Sequence, residues 1–167
     1  TQAYTLSLHD ALPISYEIGS KNELFGRNLR FNVSAFYNDY RNLQVDSEDP
    51  TPYLGGMTNI PKSHIYGVEA ELTLQLPQGF RIDANAAATD SRIDSHAMLL
   101  DPYVAQTINR MFGIFTPADL ANRAAAFQDV HGNELGRTPP FSTTVSLAKT
   151  SDIGSAGTLT AFVQANY

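Results

Sequence analysis

Residues 66–89, YGVEAELTLQLPQGFRIDANAAAT, decide the fold of this chain. Apolar and polar side chains alternate along residues 66–76 and again along residues 80–88, and the tripeptide Pro77–Gly79 separates the two runs. A period of two places successive side chains on opposite faces of a β-strand, whereas Pro and Gly favour tight turns. The stretch therefore predicts an antiparallel hairpin with one apolar face and one polar face.

The same alternation recurs in four further runs, which makes the predicted fold all-β. Two runs precede the quoted hairpin and two follow it, and turn residues separate the members of each pair. The four runs are Tyr16–Leu24, Leu29–Tyr37, Phe141–Leu147 and Leu159–Tyr167. We therefore predict about six antiparallel strands in three hairpins.

Loop lengths distinguish a membrane barrel from a soluble sandwich. The turns within hairpins are short, whereas the links between hairpins, Asp46 to Lys62 and Asp90 to Pro140, are long. Outer-membrane barrels combine short turns at one rim with long loops at the other, and compact soluble domains rarely contain such long loops. A strand of about ten residues, tilted by about 45°, climbs roughly 23 Å, close to the apolar band of a barrel. We predict a transmembrane β-barrel fragment; a soluble or secreted β-sandwich binding module is the alternative.

Aromatic residues stand where the two membrane interfaces of such a barrel would lie. The group predicted near the short-turn rim is Phe25 and Phe80. The group predicted near the long-loop rim is Tyr16, Tyr37, Tyr40, Tyr66, Phe141 and Tyr167. Within the longer loop, Thr116, Pro117 and Asp119 suit the first turn of a helix, which predicts one short loop helix.

The composition excludes several classes of function. The chain has 167 residues and a net charge of -6, which argues against nucleic-acid binding. It contains no cysteine, so it has neither a disulfide framework nor a thiolate metal site. No apolar run approaches the roughly 18–20 residues of a membrane-spanning helix.

The N-terminal segment is predicted to be foreign to the protein. Tyr4–Ile14 corresponds, residue for residue, to one reading frame of a common DNA-sequencing adapter. Segments of this kind are excluded from fold reasoning, so His9 and Asp10 are not considered as catalytic residues. We expect residues 1–15 to be non-native and residues 16–167 to be a fragment of a longer protein.

Four segments resemble recurring strand motifs of TonB-dependent receptors, in the order found in the C-terminal part of the receptor barrel. They are YEIGSK at 16–21, AFYNDYRNLQV at 35–45, IYGVEAEL at 65–72 and GNELGRTP at 132–139. The resemblance implies a plugged barrel of the 22-stranded class, of which residues 16–167 would form about a quarter. It further implies an outer-membrane protein of a Gram-negative bacterium that imports a scarce nutrient, such as an iron-siderophore complex.

The resemblance also implies a set of partners. These are outer-membrane lipid, a small-molecule or metal-chelate ligand, and the TonB energy-coupling complex. The TonB complex would bind the receptor through a plug and an N-terminal segment that we do not find in this sequence. We expect no enzyme activity, no cofactor and no nucleic-acid partner.

The barrel prediction assigns a face to the residues of each strand. The polar residues expected to face the lumen are Arg30, Asn32, Glu69, Glu71, Arg81 and Asp83. The apolar residues expected to face lipid are Phe31, Val33, Val68, Ala70, Leu72, Ile82, Val145, Leu147, Leu159 and Val163. We expect Arg30 and Arg81 to form ion pairs with the two glutamates, although carboxylates spaced i and i+2 also suit an inverting glycosidase.

Ligand contacts are expected on the loops, because binding residues concentrate on loops held by a rigid scaffold. The candidates are Tyr53, Met57, Asn59, His96 and Tyr103. A cluster at the start of the longer loop could hold Ca²⁺ or a transition metal, but its spacing fits no known loop motif, so no metal site is predicted. That cluster consists of Asp90, Asp94, His96 and Asp101. His64 and His131 have no partner at a recognisable spacing.

Overall fold

The computed structural model describes residues 12–48, 55–101, 121 and 125–167. The strands within them are β1 (Leu12–Leu24), β2 (Leu29–Glu48), β3 (Gly55–Leu76), β4 (Phe80–Ile93), β5 (Met98–Leu100), β6 (Phe127–Asp129), β7 (Phe141–Asp152) and β8 (Thr158–Asn166). β1 begins before Ser15, so its first residues belong to the segment predicted to be foreign.

The chain divides into two compact units. The sheet unit comprises Ser15–Asn38, Ile65–Asp90 and Gly136–Tyr167. The loop unit comprises Thr1–Ile14, Asp39–His64 and Ser91–Leu135.

Six strands form one sheet in the order β1-β2-β3-β4-β7-β8, which confirms the predicted three hairpins. β4 pairs antiparallel with β7, and β7 pairs antiparallel with β8. The remaining two strands, β5 and β6, form an antiparallel ribbon of their own within the connection from β4 to β7. The predicted all-β, antiparallel fold is therefore confirmed.

Glycine and positive φ angles shape the short turns of the hairpins. Gln78 and Gly79 have φ angles of 63° and 79°, the left-handed pair that a two-residue hairpin turn requires. A Cβ on Gly79 would lie 2.3 Å from the Thr150 carbonyl oxygen, so only glycine fits there. In the turn between β1 and β2, Phe25, Gly26 and Arg27 all have positive φ.

The prediction of a long loop from Asp46 to Lys62 is wrong over most of its length. β2 continues to Glu48 and β3 begins at Gly55, so strand replaces loop on both sides of residues 49–54. Pro61 argues against a strand because proline donates no ladder hydrogen bond. The neighbouring Lys62 compensates: its carbonyl oxygen accepts from the Asp94 N–H at 3.0 Å, and its own N–H donates to the Ser95 hydroxyl at 3.0 Å.

The second long link also contains more strand than the pattern predicted. β4 extends to Ile93, and the ribbon of β5 and β6 lies within the link. The predicted loop helix beginning at Thr116, Pro117 and Asp119 falls outside the described residues. The sequence did not indicate these additional strands. β5 and β6 have three residues each, which is too short to show a clear alternation.

The buried apolar side chains of the described residues all lie in the loop unit. The buried hydrophobic residues among those described are Ile60, Ile93, Ala126 and Leu135. In the described part of the sheet unit, by contrast, no hydrophobic side chain is buried. No helix in the described residues is long and apolar enough to cross a membrane.

Candidate functional site

The register of β4, β7 and β8 separates an apolar face from a polar face. Ile82 lies opposite Leu147, which lies opposite Val163, so these three side chains share one face. One residue further along each strand, Asp83 lies opposite Ser146 and Ser146 opposite Gln164 on the other face. The alternation in sequence thus becomes two continuous surfaces of opposite polarity.

Several residues of the apolar face are exposed, and none of those described in the sheet unit is buried. Val68 is 49% exposed, Val145 46% and Leu147 42%. On β8, Leu159 and Val163 reach 59% and 66%. A contiguous apolar surface of this kind marks an interface with a partner or with a membrane.

Aromatic residues lie near the ends of the three chain segments that form the sheet unit. Tyr16 and Tyr37 stand one residue inside the two ends of Ser15–Asn38, and Tyr66 stands one residue inside the start of Ile65–Asp90. Tyr37 and Tyr66 therefore lie within β2 and β3 rather than at the strand ends. At the same end, the rings of Phe141 and Tyr167 lie 6.1 Å apart between centroids.

A trough lies on the polar face of β1, β2 and β3. Its volume is about 490 Å³. The polar side chains along it are Glu17, Ser20, Lys21, Asn32, Ser34, Glu69 and Glu71. The amide nitrogen of Asn32 donates to Oε2 of Glu71 at 3.3 Å, which ties β2 to β3 across the trough. Carboxylates, an ammonium group, an amide and hydroxyls together give a surface that can bind polar groups of either charge.

The predicted ion pairs of Glu69 and Glu71 are wrong. Among the described residues, Arg30 pairs with Glu23 at 3.4 Å, across the turn between β1 and β2. Arg81 donates from Nη2 to Asp83 at 2.6 Å, and the Thr73 hydroxyl donates to the same carboxylate oxygen at 2.9 Å. Each arginine therefore reaches a nearer carboxylate than the one predicted.

Gly67 sits at a close approach on the polar face. A Cβ there would lie 2.6 Å from the Ala88 carbonyl oxygen and 2.9 Å from Cζ of Phe36. The aromatic ring thus packs over the position where glycine has no side chain. This contact explains why the Tyr-Gly-Val-Glu strand contains glycine at a central position.

The described candidates for ligand contact, Met57, Asn59 and His96, lie in the loop unit. Met57 is 41% exposed near the start of β3, and Asn59 follows two residues later with its side-chain oxygen buried. His96 lies between β4 and β5. Tyr53 and Tyr103 fall outside the described residues.

His96 belongs to a cluster that sequence reasoning did not find. Its Nδ1 lies 2.5 Å from Oδ2 of Asp129, a distance at which the ring N–H donates to the carboxylate. Its ring also stacks on that of His131, with centroids 4.5 Å apart. The His96 imidazole first, and then the backbone N–H of His131, hold the pKa of Asp129 below its ordinary value. His131 is thus not the isolated residue that the sequence predicted.

His64 likewise has a partner. Its Nδ1 lies 2.7 Å from Oδ2 of Asp94, and both side chains are about three-quarters buried, at 20% and 24% exposure. The partners are 30 residues apart in sequence, so no local spacing could have indicated the pair. Only the pairing of Lys62 with Asp94 and Ser95, which aligns the two segments, brings them together.

The acidic cluster at the start of the longer loop separates in the structure. Asp90 accepts from the Tyr66 hydroxyl at 3.2 Å, and Asp101 accepts from the Gln128 amide at 3.2 Å. Asp94 and His96 contact the partners named above. Within the described ranges, no group of three or more His, Asp or Glu side chains is arranged to hold a metal ion.

Comparisons with known proteins identify the barrel. A family model described as TonB dependent receptor-like, beta-barrel matches residues 14–167. No curated protein and no solved structure matches the chain.

Proposed function

The chain belongs to the TonB-dependent receptor β-barrel family, and we propose that its sheet unit forms part of the lipid-embedded wall of a nutrient importer. Proteins of this family are outer-membrane receptors of Gram-negative bacteria, and they are transporters rather than enzymes. In this proposal the polar face lines the lumen, the apolar face contacts lipid, and the loops contribute to ligand capture.

The exposed apolar face carries the proposal. The sheet unit buries no hydrophobic side chain among its described residues, although Val145, Leu147 and Val163 line one continuous face. Burial of apolar surface is the main stabilising contribution to folding in water. A sandwich that stood alone in water would bury this face, whereas a barrel wall leaves it for lipid chains.

The aromatic residues define two levels whose separation is about 6 Å less than the apolar band of a membrane barrel. On β4, Phe80 begins the strand and Ala88 lies opposite Phe141 on β7. Those eight steps span roughly 26 Å along the strand, or about 19 Å along the barrel axis at a tilt near 45°. Aromatic girdles flank an apolar band of about 25 Å in membrane barrels, so the two levels would lie just inside the two interfaces.

The finer proposals concern ligand, partners and segment boundaries. The imported ligand is a scarce nutrient such as an iron-siderophore complex, and import draws energy from the TonB complex, as expected for the family. Met57, Asn59 and His96 are the described candidates for ligand contact. Residues 1–15 derive from a sequencing adapter, and residues 16–167 from the receptor.

Uptake by living cells tests this function. We expect a bacterium that expresses the receptor to import a radioactive ferric siderophore under iron limitation, and to lose import when the gene is deleted. Disruption of TonB should abolish import while surface binding persists. Import that is unaffected by both deletions would contradict the proposal.

Point variants locate the ligand surface in the same assay. Met57→Ala and His96→Ala should each weaken surface binding of the ligand several-fold. Arg27→Ala is the matched control, because Arg27 is 85% exposed in the short turn between β1 and β2. Equal binding by all three variants would remove Met57 and His96 as ligand contacts.

A further inference from the structure

Lys149 is a charged residue on the face of the sheet unit that carries Ile82, Leu147 and Val163. Val145, Leu147 and Lys149 are two residues apart along β7, so their side chains share one face. Lys149 lies directly opposite Phe80 on β4 and Ala161 on β8. Register therefore places it on the face that the proposed function assigns to lipid. A lysine at such a position requires a partner for its charge.

The ammonium group contacts an aromatic ring and no carboxylate. Nζ of Lys149 lies 4.5 Å from the centroid of the Phe80 ring, within the range of a cation–π contact. Among the described residues, no ion pair includes Lys149; the arginine pairs, for comparison, end on Glu23, Asp39 and Asp83. Within the described part of the chain, the positive charge thus has no carboxylate partner.

Lys149 lies at the end of the sheet where the short turns connect the strands. Phe80 is the first residue of β4, and Thr150, the next residue on β7, has its carbonyl oxygen against the Gly79 turn. Short turns of outer-membrane barrels lie on the periplasmic side, where the apolar band ends. A lysine at that level can keep its stem along apolar surface and its ammonium among lipid headgroups.

We propose that Lys149 and Phe80 form a binding site for the phosphate group of an anionic phospholipid in the leaflet on the short-turn side. The inference rests on the proposed function, because it requires the apolar face to contact lipid. Three properties select this occupant. The positive charge has no counter-ion among the described residues, the aromatic ring suits an interfacial position, and the neighbours Leu147 and Ala161 are apolar. The phosphate accepts from the ammonium, and the acyl chains cover the neighbouring apolar side chains.

Solid-state NMR on the full chain in vesicles tests the proposal. The chain, labelled with ¹⁵N at the lysine side chains, is reconstituted in phosphatidylglycerol and phosphatidylcholine, and dephasing of the ammonium signals by lipid ³¹P is measured. We expect strong dephasing that disappears in Lys149→Gln and persists in the matched variant Lys21→Gln, whose lysine lines the polar trough. Phe80→Leu should reduce the dephasing without abolishing it.

The outcomes separate this inference from the proposed function. Dephasing that survives in Lys149→Gln overturns the lipid site, as does dephasing produced equally by inorganic phosphate in the buffer. A chain that does not float with the vesicles contradicts the membrane location itself. If Lys149→Gln does not insert, Lys149→Arg provides the second test: its labelled guanidinium should show the phosphate contact, and the absence of that contact overturns the proposal.

Discussion

At the scale of single residues, the contacts of the loop unit join side chains that are far apart in sequence. His96 and Asp129 are 33 residues apart, and His64 and Asp94 are 30 apart. The sequence predicted His96 as a ligand candidate but left His64 and His131 without partners. Folding of the connection between β4 and β7 brings His96 to Asp129, and pairing of β3 with the start of that connection brings His64 to Asp94. Local spacing therefore contains no signal for either pair.

The pKa of Asp129 should depend on His96. The histidine holds this pKa below its ordinary value, so the carboxylate contributes fully to loop stability above about pH 3.9, the ordinary pKa of aspartate. Its contribution is lost as the pH falls through the lower value of the folded state. His96→Ala should raise the pKa of Asp129, so that the loss begins at a higher pH.

Carboxyl ¹³C NMR titration of Asp129 checks this prediction. His64→Ala is the control, because that histidine pairs with Asp94 instead. An Asp129 titration curve that is unchanged in His96→Ala would contradict the assignment of the shift to the histidine.

At the scale of elements, alternation predicted the strands where both faces are regular. β4, β7 and β8 occur where the pattern placed them. Their register places the apolar-face residues of one strand opposite the apolar-face residues of the next. Prediction failed at the C-terminal end of β2 and in the first part of β3, where Gly55, Gly56 and Pro61 mimic a loop. Next to Pro61, the Lys62 carbonyl oxygen accepts from the Asp94 N–H and the Lys62 N–H donates to the Ser95 hydroxyl. The local sequence gives no sign of these bonds.

Gly67→Ala should weaken the association of β3 with its neighbours. The added methyl group would lie 2.6 Å from a backbone oxygen of β4, so the strands must separate slightly. We expect a loss of about 1–3 kcal/mol in the free energy of unfolding. Urea unfolding of the chain in detergent micelles measures it.

Gly136→Ala provides the control for this change. A Cβ at Gly136 meets no atom within 4 Å, so unfolding of that variant should match the parent chain. Equal stability of both variants would refute the close approach at Gly67.

Arginine substitutions on β7 should reveal which face contacts lipid. Val145 lies opposite Ala84, near the middle of the proposed span, and Ser146 is the next residue on the polar face. Val145→Arg should cost about 2–4 kcal/mol in lipid vesicles, whereas Ser146→Arg should cost much less. Urea midpoints in vesicles compare the two, and equal losses would count against the facing.

At the scale of the whole molecule, fold class and family could be predicted from alternation, turn positions and the order of four strand motifs. The lumen and lipid assignments remain predictions, because the sheet defines two faces without defining what covers each. The trough with Glu69, Glu71 and Asn32 is a product of three neighbouring strands. The contacts within the trough depend on distances between strands, which the sequence does not give. The ion pairs of both glutamates were therefore predicted wrongly.

A location in the membrane requires the apolar face of the sheet unit to contact lipid. The chain has no cysteine, so single cysteines at Thr144, Val145, Ser146 and Leu147 can each hold a nitroxide label. Spin-label accessibility, measured on the chain in lipid vesicles, should alternate: labels at 145 and 147 are accessible to oxygen dissolved in the membrane, and labels at 144 and 146 to a water-soluble nickel chelate. Uniform access of the chelate to all four labels, or alternation in the opposite phase, would contradict that location.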